Sequence, residues 1–136
     1  MEEAIAARVS LSETKKHMEA FFATHDVQYV AEDVVYTSLN TGEKTVGREA
    51  VGQMLHYIYH VAFDAKAEII NTVITEDHAL LEANIKGKHI GEFAGVAATN
   101  KEVSIPACVC YDLEDGLIKR ARVYLLIDVL MRQLAN

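Results

Sequence analysis

The feature that most constrains the fold is a change in hydrophobic period near Lys66. Before it, apolar residues recur at helical spacing, and after it they alternate, as in strands with one buried face. The longest alternation runs from Leu81 to Phe93 and places apolar residues, glycines and His89 on one face and charged residues on the other. Helices followed by antiparallel hairpins predict an α+β fold rather than successive β-α-β units.

The predicted elements follow one another without a linker or a repeat. Ser10 to Glu13 has capping-box spacing, which predicts a helix to about Ala23, and Asp26 starts a short helical turn. The clearest helix follows Gly47. A chain of 136 residues is short for two separate cores, so we expect one domain over residues 1–136. Helices packed across the concave side of its strongly curved sheet would enclose a pocket. Strands are predicted over 34–38, 67–75, 81–93, 103–113 and 117–127, and a closing helix over 129–134.

Composition narrows the possible partners and the cellular location. The 136 residues carry 13 basic against 20 acidic side chains, a net charge of −7, so neither nucleic acid nor an anionic membrane surface is an expected partner. No apolar run approaches the roughly 20 residues of a membrane span, and the acidic start Met1-Glu2-Glu3 argues against a signal peptide. Cys108 and Cys110, two apart in a strand, have poor geometry for a disulfide. These features predict a reduced, cytoplasmic protein.

His89 is the first candidate for chemistry. It lies on the apolar face of its strand between Gly87 and Gly91, where two missing side chains leave room for a ligand or for a closely approaching element. An inward imidazole suits acid–base catalysis. The alternative is a core histidine bonded to one neighbour, with the glycines permitting a bend.

The last strand supplies a second candidate pair. Arg122 and Tyr124 share a face with Leu126, whereas Val123, Leu125 and Ile127 fall on a wholly apolar face. In a strand covered on both sides, Arg122 and Tyr124 would project into a cavity and bind a carbonyl or carboxylate oxygen. The alternative is an ordinary exposed sheet face. The apolar face would be covered by helices or by a second subunit, which predicts a homodimer.

Two further patterns have competing interpretations. Asp128 precedes the closing helix and is either its N-cap or a catalytic carboxylate at the end of a strand. His56 and His60 have the spacing of two metal ligands on a helix, yet they fall opposite the apolar stripe from Val51 to Ile58 and no third ligand is positioned to join them. We therefore expect a solvated or interfacial pair and no metal site. No nucleotide-binding or serine hydrolase motif occurs.

Five segments in this order carry a family resemblance: Ala31–Tyr36, Gly47–Ala50, His89–Gly95, Glu114–Ile118 and Leu130–Leu134. Together they resemble the SnoaL-like polyketide cyclases of the nuclear transport factor 2-like superfamily, over nearly the whole chain. The resemblance implies a cone-shaped curved sheet, helices closing its wide end, a deep apolar pocket and frequent dimerisation through the sheet.

The resemblance also implies a catalytic position. The family's cyclases carry an Asp seven residues before the Gln of the terminal Gln-Leu, as general acid/base of an intramolecular aldol ring closure without metal or cofactor. That position is Leu126 here, seven residues before Gln133, and leucine cannot move a proton. Asp128 lies two residues further and would reach the pocket only through a bulge or an early helical turn.

These observations predict cofactor-free acid–base chemistry, ring closure or isomerisation, on a small apolar carbonyl compound. His89 or Asp128 would carry the proton, and Arg122 and Tyr124 would hold the oxyanion. The alternative is a non-catalytic binding module of the same fold. The substrate is predicted to contact Arg122, Tyr124, Leu126, Tyr36, Phe63 and Phe93.

Overall fold

The first two helices begin where the sequence predicts them. The computed structural model describes residues 9–135, so the acidic start of the chain lies outside the described residues. None of the helices in this range is long and apolar enough to cross a membrane. Helix α1 spans Leu11–Thr24, α2 spans Arg48–His56 and α3 spans Ile127–Ala135, with a 3₁₀ turn at Val27–Tyr29 and a π-helical segment at Tyr57–Ala62.

Six strands form one curved, unclosed sheet, which confirms the α+β prediction. The order is β2-β1-β6-β5-β4-β3, so β2 and β3 are the two edges. All neighbouring pairs are antiparallel except β1 and β6, which the hairpin pattern did not predict. The strands are β1 Val30–Ser38, β2 Lys44–Val46, β3 Phe63–Ile74, β4 His78–His89, β5 Glu102–Glu114 and β6 Leu117–Leu125.

The predicted capping box begins α1. The side-chain oxygen of Ser10 accepts a hydrogen bond from the backbone N–H of Glu13 at 3.1 Å. The helix ends at His25, whose backbone is left-handed with φ 55° and ψ 31°. The Asp26 carboxylate then accepts the Gln28 N–H at 2.9 Å and starts the predicted turn. Residues 25 and 26 thus fix where the chain leaves α1 and enters the sheet.

The end of β6 differs from the prediction. The strand stops at Leu125 and α3 begins at Ile127. The carbonyl oxygen of Leu126 accepts the N–H groups of Val129 at 3.1 Å and Leu130 at 3.4 Å, so the helix starts two residues earlier than predicted. Asp128 therefore lies inside the first turn of α3 and is not its N-cap.

The inner face of the sheet carries two apolar clusters. The first places Met18, Phe21 and Phe22 of α1 against Tyr111 of β5 and its neighbours. The second joins the start of β3 and the end of β4 to α3. Three inward-facing residues remain partly exposed where the two clusters meet, namely Val109, Val123 and Leu125. They mark the part of the interior that is nearest to solvent.

Candidate functional site

Four polar aromatic side chains lie near the C-terminal end of α1, and we call them the tyrosine–histidine cluster: His25, Tyr36, Tyr59 and Tyr111. The His25 ring stacks on Tyr59 with 4.3 Å between centroids. Tyr36 of β1 pairs with Ala121 of β6, which pairs in turn with Tyr111 of β5. The two tyrosines therefore flank an alanine on the inner face, and the small Ala121 side chain leaves space for both rings.

Two irregular backbone segments bring the other two members into place. His25 holds the left-handed C-cap of α1, a conformation that histidine adopts more readily than most residues. Its ring also meets Phe21 edge-on, with centroids 5.5 Å apart. Tyr59 lies in the π-helical segment, whose extra residue per turn changes the direction in which side chains point. Segments of this kind occur often at functional sites.

The cluster is electrically neutral at neutral pH. Burial, together with the nearby charge of His60, lowers the pKa of His25 from 6.5 to about 4. Burial raises the pKa of Tyr59 to about 12 and raises the pKa of Tyr36 and of Tyr111 still further. The cluster thus offers one unprotonated ring nitrogen as proton acceptor and three hydroxyls as hydrogen-bond donors.

The Tyr36 hydroxyl has no hydrogen bond of normal geometry within residues 9–135, although the side chain is only 4% exposed. The Tyr111 hydroxyl interacts with it weakly and slightly offsets the rise in its pKa. A buried donor without a partner costs roughly 1–3 kcal/mol. A carbonyl oxygen of a bound molecule would supply the missing acceptor.

A cleft of about 590 Å³ lies next to this cluster, between α1 and the edge strand β3. Phe22 forms part of its wall and also packs on Tyr111, with ring centroids 5.9 Å apart. One phenyl ring therefore separates the cleft from the cluster. The cleft is lined by Lys15, Glu19, Phe22, Ile69, Thr72 and Ile74.

His89 is fully buried, as its strand face predicts, and lies in the second apolar cluster. Its Nδ1 is 3.0 Å from the Thr99 hydroxyl oxygen and accepts the Thr99 backbone N–H at 3.3 Å. A backbone N–H can only donate, so the ring hydrogen lies on Nε2, which has no hydrogen-bond partner in the described part of the chain. Phe63 packs against the ring at 5.2 Å. These contacts anchor the loop between β4 and β5.

The glycines beside His89 accommodate neighbouring backbone and leave no room for a ligand. A Cβ at Gly87 would lie 2.1 Å from the carbonyl oxygen of Asp64, and one at Gly91 would lie 2.3 Å from that of Val61. Of the two predicted explanations, the structure supports the closely approaching element.

His89 lies beside two of the predicted site residues, Phe63 and Phe93, but far from Tyr124. Tyr124 pairs with Cys108, which pairs with Glu82, seven residues before His89 along β4. At the rise of an extended strand that separation is roughly 23 Å. By the same measure Tyr111, whose partner on β4 is Ala79, lies roughly 33 Å away. His89 is therefore distant from Tyr124 and Tyr111, whereas Tyr59 packs on the same apolar cluster as Phe63, the neighbour of His89.

Arg122 and Tyr124 lie on the outer face of the sheet, which corrects the expectation that they project into the interior. Arg122 donates two hydrogen bonds to Asp112, at 2.9 and 3.2 Å, and Arg120 donates a third at 3.0 Å. The two guanidinium groups hold the pKa of Asp112 well below its usual range. Tyr124 is 45% exposed. Ala121 occupies the inner face, so strand alternation directs both residues outward.

The same alternation places the predicted dimer face inside the protein. Val123 pairs with Val109 and Leu125 pairs with Ala107, and all four side chains face the apolar clusters. Ile127, in the first turn of α3, also packs on the second cluster. These residues therefore pack in the interior and are not available to a second subunit.

The remaining candidates are dispersed. Leu126 is 54% exposed and Asp128 is exposed, so neither reaches the interior. Phe63 and Phe93 pack edge-to-face at 5.1 Å beside His89. Of the predicted lining residues, Tyr36 alone belongs to the tyrosine–histidine cluster.

The helical histidine pair is exposed, as the wheel predicts. The rings of His56 and His60 have centroids 5.2 Å apart. Within residues 9–135 no group of three His, Cys, Asp or Glu side chains is arranged to hold a metal ion.

The protein is of the α+β class, with helices packed across the inner face of one curved, unclosed sheet. Its candidate site, the tyrosine–histidine cluster, lies between the helices and the sheet. The chain belongs to the SnoaL-like polyketide cyclase family, whose sequence model matches residues 12–134. No curated protein has a sequence that matches this one significantly.

Solved structures show the same fold. A SnoaL-like protein from Jannaschia sp. CCS1 superposes with a TM-score of 0.81 at 14% identity, over 94% of this chain and 96% of that one. IdmH, a candidate polyketide cyclase from Streptomyces antibioticus, gives 0.70 at 22% identity over 94% and 100%. A protein with a ketosteroid isomerase-like fold from Catenulispora acidiphila gives 0.69 at 15% identity over 90% and 92%. At these identities the likeness establishes the fold.

Proposed function

We propose that the protein catalyses cofactor-free acid–base chemistry, an aldol-type ring closure or an isomerisation, on a small, uncharged, largely apolar carbonyl compound. The observation that carries the proposal is the partly buried His25 ring, which stacks on Tyr59 beside the buried Tyr36 and Tyr111. Burial lowers the pKa of His25 to about 4, so the ring is neutral at neutral pH. Membership of the SnoaL-like family supports the reaction class. The catalytic residues that the sequence favoured, His89 and Asp128, are replaced in this proposal by His25.

The proposed roles follow from the protonation states. His25 would accept a proton from the carbon next to the carbonyl, and a pKa of about 4 is close to that of carboxylates that perform this step elsewhere. The hydroxyls of Tyr36, Tyr59 and Tyr111 keep their protons at neutral pH and would donate hydrogen bonds to the developing oxyanion. One such donor is worth about 3 kcal/mol. The pocket would form between these rings and the partly exposed inward-facing residues Val109, Val123 and Leu125.

A binding module without chemistry is the second candidate, and one observation favours it. No carboxylate is buried within residues 9–135, and the residue at the family's acid position is the exposed Leu126. The pocket of such a module would bind a neutral carbonyl compound through the tyrosine hydroxyls alone.

One measurement separates the two candidates. The probe is 2-tetralone, a neutral apolar ketone with acidic α-hydrogens, dissolved in D₂O and followed by NMR. We expect the protein to accelerate deuterium incorporation at the α-carbon, with a rate that saturates as the ketone concentration rises. Saturable binding without acceleration would support the binding module, and neither binding nor acceleration would contradict both candidates.

We also propose that the protein is a homodimer formed through the outer face of the sheet, and that it is cytoplasmic, in keeping with its two free thiols. The exposed side chains of Tyr124 and Leu126 give this face an apolar centre beside the half-buried Cys108 and Cys110. Sedimentation at micromolar concentration should give the mass of two 15.1 kDa chains. Tyr124→Lys should give one chain with an unchanged circular dichroism spectrum. A wild-type mass of one chain would refute the dimer.

A further inference from the structure

We propose that the cleft between α1 and β3 is the outer part of the substrate site, and that Phe22 selects by size the carbonyl compounds that reach the tyrosine–histidine cluster. The inference rests on the proposed function, because it takes the carbonyl group to be bound in the cluster. The apolar body of the substrate would extend along the inner face of the sheet into the cleft. Phe22 would determine specificity and take no part in proton transfer.

The cleft has the size and the lining of a small-molecule site. Its volume of about 590 Å³ lies within the range of ligand pockets, and its apolar walls are the side chains of Phe22, Ile69 and Ile74. The two charged residues of the lining, Lys15 and Glu19, are exposed at its mouth. This lining suits an uncharged, largely apolar compound, the class proposed as substrate.

The pairing of the strands makes the floor of the cleft continuous with the interior. Three lining residues belong to β3, and each begins a row of paired residues that crosses the inner face of the sheet. The rows are Ile74-Ala79-Tyr111-Ala121-Tyr36, Thr72-Leu81-Val109-Val123 and Ile69-Ala83-Ala107-Leu125. One row thus leads to the two buried tyrosines of the cluster, and the other two lead to the partly exposed inward-facing residues.

The first row connects the cleft to the cluster over a short distance. Neighbouring strands lie roughly 4.8 Å apart, so Ile74 and Tyr111, two strands apart, are separated by roughly 10 Å. Between them stands Ala79, whose side chain is a single methyl group. Phe22 lines the cleft and packs on Tyr111, with ring centroids 5.9 Å apart, so its phenyl ring occupies the space that this alanine leaves.

Phe22 closes this path in the structure. The residue is 6% exposed, and Tyr111 and Tyr36, further along the row, are each 4% exposed. A ketone in the cleft therefore meets a phenyl ring before it meets a tyrosine hydroxyl. Rotation of the Phe22 side chain would open the path, and the room that the rotated ring leaves would set the size of the compound that passes.

The first test is binding, and it does not depend on catalysis. The full-length protein is labelled at the δ1-methyl groups of isoleucine and titrated with 2-tetralone. Ile69 and Ile74 line the cleft, whereas Ile70 on the same edge strand does not line it and is 54% exposed. We expect saturable shifts of the Ile69 and Ile74 signals and little change at Ile70. Ile69 and Ile74 signals that do not move would overturn the proposal, even if the protein exchanges the α-hydrogens of the ketone.

The second test is selectivity between two ketones. The second ketone is 6-phenyl-2-tetralone, which has the same reacting group and one additional ring. In Phe22→Ala we expect the ratio of kcat/KM for the larger ketone to that for 2-tetralone, measured by deuterium exchange, to rise about tenfold or more. Loss of stability would lower both rates alike and leave the ratio unchanged. Ile70→Ala is the matched control and should keep the wild-type ratio.

Phe22→Leu keeps an apolar side chain in the core and should change the ratio in the same direction, so it decides the test if Phe22→Ala does not fold. An unchanged ratio in the folded variants would overturn the proposal and leave the proposed function intact. Failure of the proposed function would be seen separately, as a wild-type protein that exchanges neither ketone. The ratio of the two dissociation constants from the methyl titration would then replace the kinetic ratio, with the same expected change.

Discussion

Replacing His25 by asparagine should slow the protein-catalysed deuterium exchange of 2-tetralone by about 10²- to 10⁴-fold, the usual contribution of a general base. The reason is that His25 supplies the one proton acceptor of the tyrosine–histidine cluster, whose other members are protonated hydroxyls. Asparagine is the appropriate replacement, because position 25 has a φ of 55° and asparagine tolerates the left-handed region. The variant should therefore fold while lacking a base.

Two further variants make this test specific. His78→Gln removes an exposed histidine and should keep the wild-type exchange rate. Tyr59→Phe keeps the ring that stacks on His25 and removes one hydroxyl, so it should lose up to about 3 kcal/mol of transition-state stabilisation if that hydroxyl holds the oxyanion. An exchange rate in His25→Asn equal to that of wild type would contradict the assignment of the base.

The fold could be read from the sequence because local and long-range signals agree. The hydrogen bond from the Glu13 N–H to Ser10 begins α1, and the turn at Asp115 and Gly116, both with positive φ, joins β5 to β6. The alternation around His89 correctly predicted a buried side chain. The parallel pairing of β1 with β6 was not predictable, because it joins residues about 85 positions apart that no turn connects.

The site was harder to predict, for a physical reason that β6 illustrates. Alternation divides a strand into two faces and does not say which face is inside. The polar face with Arg122 and Tyr124 was a reasonable choice for a cavity, but the inner face is set by Ala121, which fits between two tyrosine rings. That contact involves three strands and leaves no local signal.

His25 and Tyr59 escaped prediction because irregular backbone positions them. A helical wheel assumes 3.6 residues per turn, and the π-helical segment departs from this at Tyr59. His25 follows the last residue of α1, where a periodic pattern no longer specifies direction. No local pattern marks the two residues as neighbours, because their contact joins positions that are 34 residues apart in the sequence.

The second large effect concerns stability in mild acid. Between pH 6.5 and about 4 the free energy of unfolding should fall by up to about 3 kcal/mol through His25, and by less to the extent that water reaches the ring. Above pH 6.5 the ring is neutral in both states and contributes nothing. Below pH 6.5 the unfolded chain binds a proton that the folded protein does not, so unfolding is favoured. Below about pH 4 both states are protonated and this dependence ends.

Urea unfolding of wild type and His25→Asn, at intervals from pH 7 to pH 4.5, gives the free energy of unfolding of each protein as a function of pH. The contribution of His25 is the difference between the slopes of the two curves. Asp112 does not interfere in this range. Its pKa is lowered by Arg122 and Arg120, so the stability it provides is present above the unfolded carboxyl value of about 3.9 and is lost only as the pH falls further. If His25→Asn shows the same slope as wild type, the His25 ring is protonated in the folded protein at pH 5. The assignment of a neutral base to position 25 would then be wrong.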